Sequence, residues 1–302
     1  MENANSTPRS NRRERKGVLP SGVPFEIYGM TGDDLDTIAK AAEGKKTNWM
    51  SDLLKSCVKS VGDVVTPSSA FFDSMLELDL RFILLAIRQL SQRDSKEFIF
   101  DYQFPMQNKQ RIVETVRFNM EPADFLHKPF KWVLDRMIAD YKALQADAGV
   151  EVEEADLAEV LLKDGQYAPY PVMYESYNDM LAQHLRHSFT LPDAGTTINY
   201  ELITHDRATK FSNALGDKKA KYTDLVARYK PTYLYEGNTP SAFMANSKSV
   251  SAYDVEKLHI DMREKDAKID TLVVVESEKK PGLQAQIDVI TIPAFFYPSL
   301  AK

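Results

Sequence analysis

Hydrophobic positions are densest between Phe71 and Phe104, and their spacing changes character part-way through. Phe72, Met75, Leu76, Leu80, Ile83, Ile87 and Leu90 advance by three and four, while Leu78, Phe82 and Leu85 fill the neighbouring stripe. This predicts a helix wetted on only a narrow face. After the polar run 91–96 the period becomes two, with Phe98, Phe100, Tyr102 and Phe104 on one side and Glu97, Asp101 and Gln103 between them. That is the pattern of a strand packed on one face. Fully burying side chains of this size is worth about 1.5 to 3 kcal/mol each, so the helix-to-strand unit is the expected anchor of a domain.

The flanking sequence extends the unit in both directions. Phe25-Glu26-Ile27-Tyr28 alternates as a strand after the turn residues Leu19-Pro20-Ser21-Gly22, and Thr31-Gly32-Asp33-Asp34 carries the capping residues of a helix starting near Asp33. A second helix is expected from Trp49 to Val58, with Met50, Leu53, Leu54, Cys57 and Val58 on one face. Beyond Phe104 a turn at 107–110 leads into a returning strand with Ile112, Val116, Phe118 and Met120 on one side, interrupted by Glu114, which closes a hairpin. From 121 to 188 the spacing is helical, through Phe130, Val133, Leu134, Met137, Ile138, Tyr141 and Leu144 and again over Met173 to Leu185. Glu151, Glu153, Glu154 and Asp156 suit the start of a further helix in between, where acidic groups meet the positive end of the dipole.

The chain then repeats its own landmarks. Leu191-Pro192-Asp193-Ala194-Gly195, with Ile198, Tyr200 and Leu202 and then Thr204-His205-Asp206, retraces the turn, strand and helix start near the beginning. Pro20 and Pro192 are 172 positions apart, as are Asp94 and Asp266, the residues that end the helix 71–90 and a later helix over Val255 to Glu264. Leu272 to Val275 and a closing strand over Ile287 to Ile292 then stand where the first hairpin stood. The fold class expected is α+β, two related helix-plus-β-hairpin modules joined by a helical middle segment. The corresponding division is a flexible basic arm over 1–17, a first module over 18–120, a helical connector over 121–189 and a second module over 190–302 with an aromatic C-terminal tail. Within the second module, Tyr233 to Ser251 has the composition of a long loop.

Composition narrows the function. A length of 302 residues with 43% hydrophobic and 27% charged content suits two ordinary cores, and a net charge of −6 argues against a surface built for nucleic acid. The apolar run Phe82 to Ile87 is far short of the roughly 20 residues that cross a bilayer, so no membrane association is expected and the chain reads as soluble and not secreted. Cys57 is the single cysteine, which excludes an internal disulfide, and its place on an apolar helix face marks it as a small core residue rather than a nucleophile.

Catalytic motifs are correspondingly sparse. His184 and His187 would lie on adjacent turns of one helix, with Asp193 or His205 available to complete a metal site, but the third ligand at fixed spacing is missing. Gly29-x-x-Gly32 lacks the Lys and Ser/Thr of a phosphate loop. Asp73, Glu77, Asp79 and Arg81 occupy the narrow wet side of the central helix, where such groups staple a helix. No catalytic, metal or cofactor-binding residue is assigned. The candidates for partner contact are Arg12, Arg13 and Arg15 in the arm and Phe295, Phe296 and Tyr297 in the tail, since basic arms and uncovered aromatics are common contact groups.

One stretch resembles a known family. Leu19-Pro20-Ser21-Gly22, Tyr28-Gly29-Met30-Thr31-Gly32-Asp33, Asn48 with Leu53-Leu54 and Cys57-Val58, then Leu78-Asp79-Leu80-Arg81 through Leu84-Leu85-Ala86-Ile87-Arg88 to Phe98-x-Phe100, is similar to the T4-type bacteriophage baseplate proteins. That family contributes to assembling the central hub of contractile tails. Relatives carry a Cys-x-x-Cys after the strand, where this chain has Pro105-Met106-Gln107-Asn108, so a zinc-binding role does not carry over. The resemblance implies a non-enzymatic structural or assembly protein without cofactors. Its partners would be other phage tail and baseplate proteins or further copies of itself, in the host cytoplasm during assembly and in the tail baseplate of the virion. Two alternatives stay open: a metal-dependent hydrolase using His184 and His187, and a nucleic-acid or scaffold-binding module using the basic arm.

Overall fold

In the computed structural model the described residues are 12–45, 48–91, 97–106, 110–119, 127–147, 170–215, 220–233, 241–243, 250–269 and 271–296. They form an α+β fold of mixed helix and sheet. Strand β1 (Glu14–Val18) pairs antiparallel with β2 (Pro24–Tyr28), placing Glu14 opposite Tyr28 and Val18 opposite Pro24. The stretch expected as a flexible arm is therefore an edge strand from Glu14 onward, because its backbone pairs with β2. Gly22 closes the turn at φ +85°, a conformation open to glycine without a Cβ penalty, and its N–H donates to Leu19 O at 2.8 Å.

Helix α1 (Gly32–Ala42) follows where the capping residues predict it, and α2 (Trp49–Cys57) where the apolar face does, one residue shorter than expected because Val58 begins the next strand. Thr31 and Asp34 form a reciprocal capping box, each side chain accepting from the other's backbone N–H. The chain re-enters the sheet as β3 (Val58–Val61) and β4 (Val64–Val65), giving the order β1-β2-β3-β4.

The long central helix is in fact two, α3 (Ser69–Ser74) and α4 (Glu77–Ser91), with Met75 extended at ψ 150° between them. The apolar period runs through the break, but the backbone there is committed elsewhere: Leu76 forms an isolated bridge with Thr204, Met75 O accepts from His205 N–H and Glu77 N–H donates to Ile203 O. Tertiary hydrogen bonding has overridden local helical preference. The hairpin matches expectation, β5 (Glu97–Pro105) running antiparallel to β6 (Arg111–Asn119) with Phe100 opposite Val116. Phe100 and Phe104 are buried.

The middle stretch contributes β7 (His127–Lys128), α5 (Lys131–Asp147) and α6 (Tyr177–His184). The acidic cluster at 151–156 lies outside the described residues. The helical reading of this segment fails at its end, because Arg186–Thr190 is strand β8, paired with β9 (Thr197–Glu201). Alternating exposure along Arg186–Thr190 is a period-two signal.

After β9 come α7 (His205–Leu215) and α8 (Tyr222–Ala227), then β10 (Thr232–Tyr233) and β11 (Ser241–Ala242), and the second sheet has the order β8-β9-β10-β11. In each sheet two helices separate the second strand from the third. Helix α9 (Ala252–Lys265) leads to β12 (Lys268–Ile269), which pairs with β7, and to the hairpin β13 (Leu272–Glu276) and β14 (Gln284–Asp288). The closing strand expected over 287–292 ends at Asp288, where one 3-10 turn takes over. A single turn of helix, α10 (Pro293–Phe296), packs against α1 and β5. The buried side chains of both halves, from Leu19, Ile38 and Ile83 to Ile198, Leu258 and Phe296, form one continuous apolar cluster.

Candidate functional site

The polar groups that stand out on structural grounds gather where the two sheets' elements meet, around the start of α4. Glu77 Oε2 lies 2.7 Å from His205 Nδ1, and Glu77 Oε1 accepts from Arg81 Nε at 2.7 Å. Arg81 reaches on to Asp288 Oδ2 at 2.6 Å and Thr271 Oγ1 at 3.0 Å, and Thr271 in turn donates to Asp288 Oδ1. Burial alone would raise the Glu77 pKa, but the hydrogen bond with His205 and the charge of Arg81 outweigh it and hold the carboxyl below its usual value. Conversely, burial pushes His205 down while Glu77 pulls it up, and the imidazole ends above its ordinary value.

Half a turn further along α4, Asp79 is fully buried. Its Oδ1 accepts from Ser21 N–H at 3.1 Å and its Oδ2 from the Tyr177 hydroxyl at 2.9 Å, and Tyr177 accepts from Leu76 N–H at 2.9 Å. Burial, opposed by these hydrogen bonds, raises the Asp79 pKa to about 7. The expectation that Glu77, Asp79 and Arg81 face water is thus corrected. Asp79 is covered by α6 and the β1–β2 turn, Glu77 and Arg81 on the opposite side of α4 by α7 and the β13–β14 hairpin, and Asp73 belongs to the separate helix α3.

Asp79 has a counterpart. Asp254 is the third residue of α9 as Asp79 is of α4, and its carboxylate accepts from Asp193 N–H at 2.8 Å and Ala194 N–H at 3.2 Å in the β8–β9 turn. In both halves an aspartate in the first turn of a long helix ties down the backbone of the hairpin turn.

The histidine pair does not form a site. His184 is the final residue of α6 and His187 lies in β8, so the change from helix to strand separates their directions. The His184 ring stacks on Trp132 at 4.2 Å and bonds the Tyr174 hydroxyl, whereas His187 packs on Tyr200 at 5.5 Å. Burial lowers the pKa of both. Asp193 is occupied by Ser251 and His205 by Glu77. Among the described residues no group of three or more His, Cys, Asp or Glu is placed to hold a metal ion. Cys57 is buried, and burial with the charge of Asp34 pushes its thiol up to about 12.

The partner-contact candidates divide. Arg12 is turned inward, donating to Gly29 O, Ser56 O and Asp34 Oδ2, each at 2.9 Å. Arg15 bonds Gln89 Oε1 at 3.0 Å, and Arg13 is exposed. Phe295 and Phe296 are buried at 1% and 0% exposure, Phe296 against Trp49 and Phe295 beneath Arg88. Arg88, itself buried, donates to Phe295 O, and burial lowers its pKa to about 10. Tyr297 lies outside the described residues.

Sequence reasoning missed Tyr177, Trp132 and Arg88 as organising groups. Arg88 carried a signal, a charge among the apolar residues of α4. Tyr177 and Trp132 carried none, because their partners are distant in the chain. Likewise Glu114, the interruption in the apolar face of β6, is buried and accepts from the Ser277 hydroxyl and from Glu278 and Lys279 N–H in the β13–β14 turn.

Among the described residues no helix is long and apolar enough to cross a membrane. Comparison of the chain with family models, curated proteins and solved structures returned no match.

Proposed function

We propose that this chain is a non-enzymatic structural or assembly protein of a contractile-tail baseplate or hub, acting through protein contacts. The observation that carries the non-enzymatic part is the use made of its reactive groups. Glu77, Asp79, His205, Arg81 and His184 all have polar atoms bonded to the chain's own backbone or side chains. The baseplate part rests on the resemblance of residues 17–105, and places the protein in the host cytoplasm during assembly and in the tail baseplate afterwards.

The same reading takes the two halves as related modules. The shared sheet order, the two helices inserted after the second strand, the glycines of positive φ at Gly22 and Gly195, and the matched Asp79 and Asp254 support a duplication. A building block of this kind offers two similar faces to neighbours, including further copies of itself.

Capture of the tagged protein from infected cells, with mass spectrometry of purified tails, tests the proposal. Tail components are expected with the bait, and retention in finished particles marks a permanent subunit rather than an assembly factor. Absence of tail proteins from both samples overturns it.

A further inference from the structure

The seam between the halves depends on a buried acid that no cation accompanies among the described residues. Asp79 is 0% exposed, and its hydrogen-bond donors are Ser21 N–H and the Tyr177 hydroxyl, both neutral. Tyr177 also holds Leu76 N–H, and Leu76 is the residue that bridges to Thr204 across the seam. A carboxylate buried without a countercharge is costly, and water reaching it relieves that cost.

We propose that the junction of the two halves is a proton-operated latch, closed when Asp79 carries a proton and loosened when it ionises. The inference concerns regulation of the fold and does not depend on the baseplate reading.

The surrounding charges set its direction. Asp266, at the end of α9, adds negative charge toward Asp79, and Asp266 itself accepts from the Tyr229 hydroxyl and Ala267 N–H with Arg228 nearby. Its own pKa is raised to about 7, burial being the main cause. On the other side of α4, Glu77 pairs with His205 and Arg81, while Asp73 and Asp288 add negative charge around them. As pH rises, Asp79 and Asp266 gain charge and His205 loses the charge that pairs it with Glu77. All three changes weaken the same junction.

The sign follows from linkage. Asp79 and Asp266 hold their protons in the closed form up to about pH 7, whereas solvated aspartate releases its proton near pH 4, so opening becomes easier across this interval and levels off above it. Each group contributes on the order of tenfold per pH unit between pH 5 and 7.

Hydrogen exchange of the full chain, corrected for intrinsic rates, reads this directly at the amides of Leu76, Glu77 and His205, which donate to Tyr177, Ile203 and Met75. Their protection is expected to fall at least tenfold from pH 5 to pH 7, while that of Gly29, bonded to Arg13 O within the first sheet, does not follow. In Asp79→Asn the slope at the three seam amides should shrink by about tenfold per pH unit. Seam and sheet amides that change in parallel in the wild-type protein overturn the latch, as does a seam slope in Asp79→Asn as steep as that of the wild type. Should that variant not fold, the wild-type comparison decides alone.

Discussion

Replacing Phe296 by alanine separates the two uses an aromatic tail can have. Its side chain is 0% exposed, with its ring 5.5 Å from Trp49 at 64° and 5.3 Å from Phe295 at 89°. Truncating a fully buried phenylalanine costs about 3–5 kcal/mol, from lost transfer energy and the cavity left behind. The edge-to-face contact with Trp49 places this site toward the upper end. Set against a total stability of about 5–15 kcal/mol, the loss is severe. With a urea m-value of about 3 kcal/mol/M, the midpoint should move down by at least about 1 M. The control is Tyr253→Ala on the exposed side of α9, expected to stay within about 0.5 kcal/mol of wild type. If Phe296→Ala unfolds at the wild-type midpoint, the ring is not part of this core, and the tail returns to the role of a free contact segment.

Further substitutions probe other joints. Gly62 has φ +56° in the β3–β4 turn, and an added Cβ would meet Glu175 O at 2.5 Å, so Gly62→Ala should lower stability by more than about 2 kcal/mol in a thermal melt. Gly282→Ala, at φ +82° with open space around it, should cost about 1 kcal/mol; equal losses at the two glycines would remove the steric argument. Arg81→Met strips Glu77, Asp288 and Thr271 of a shared partner and should cost about 1–3 kcal/mol, moderated by its partial exposure, with a less than additive effect when combined with Asp288→Asn; full additivity in urea unfolding would show that the two do not interact. Burial depresses the His184 pKa, so its stabilising effect is present above about pH 6.5 and is lost as pH falls through the depressed value. His184→Phe keeps a ring on Trp132 and should therefore show a smaller drop in melting temperature between pH 6.5 and 5 than wild type does, whereas an unchanged drop assigns the acid sensitivity to other groups.

What could be read from the chain was local. The capping box at Thr31 and Asp34, the period-two run Phe98–Phe104 and the recurrence of a Leu-Pro turn at Leu19 and Leu191 each lie within a few residues, and each has its expected element in the structure. Long-range commitments were illegible. Nothing in the spacing of Met75 and Leu76 announces that their backbone is claimed by Thr204 and His205, and so one helix was expected where two stand. The same holds for Asp79 and Glu114, polar residues in apolar patterns whose partners are more than fifty positions away. The terminal aromatics are a third case: composition marks Phe295 and Phe296 as sticky, but only the packing says that Trp49 is what they stick to.

The contact between Phe296 and Trp49 also sets a timetable for synthesis. On the ribosome, Phe296 emerges about 250 residues after Trp49, and at ordinary elongation rates the interval is roughly ten seconds to a minute. Throughout it, α1, α2 and β5 can already exist, but the apolar seat around Trp49 has no lid of its own. The first half therefore waits for the second, and a chain halted before Pro293 would leave that seat open to whatever apolar surface reached it first.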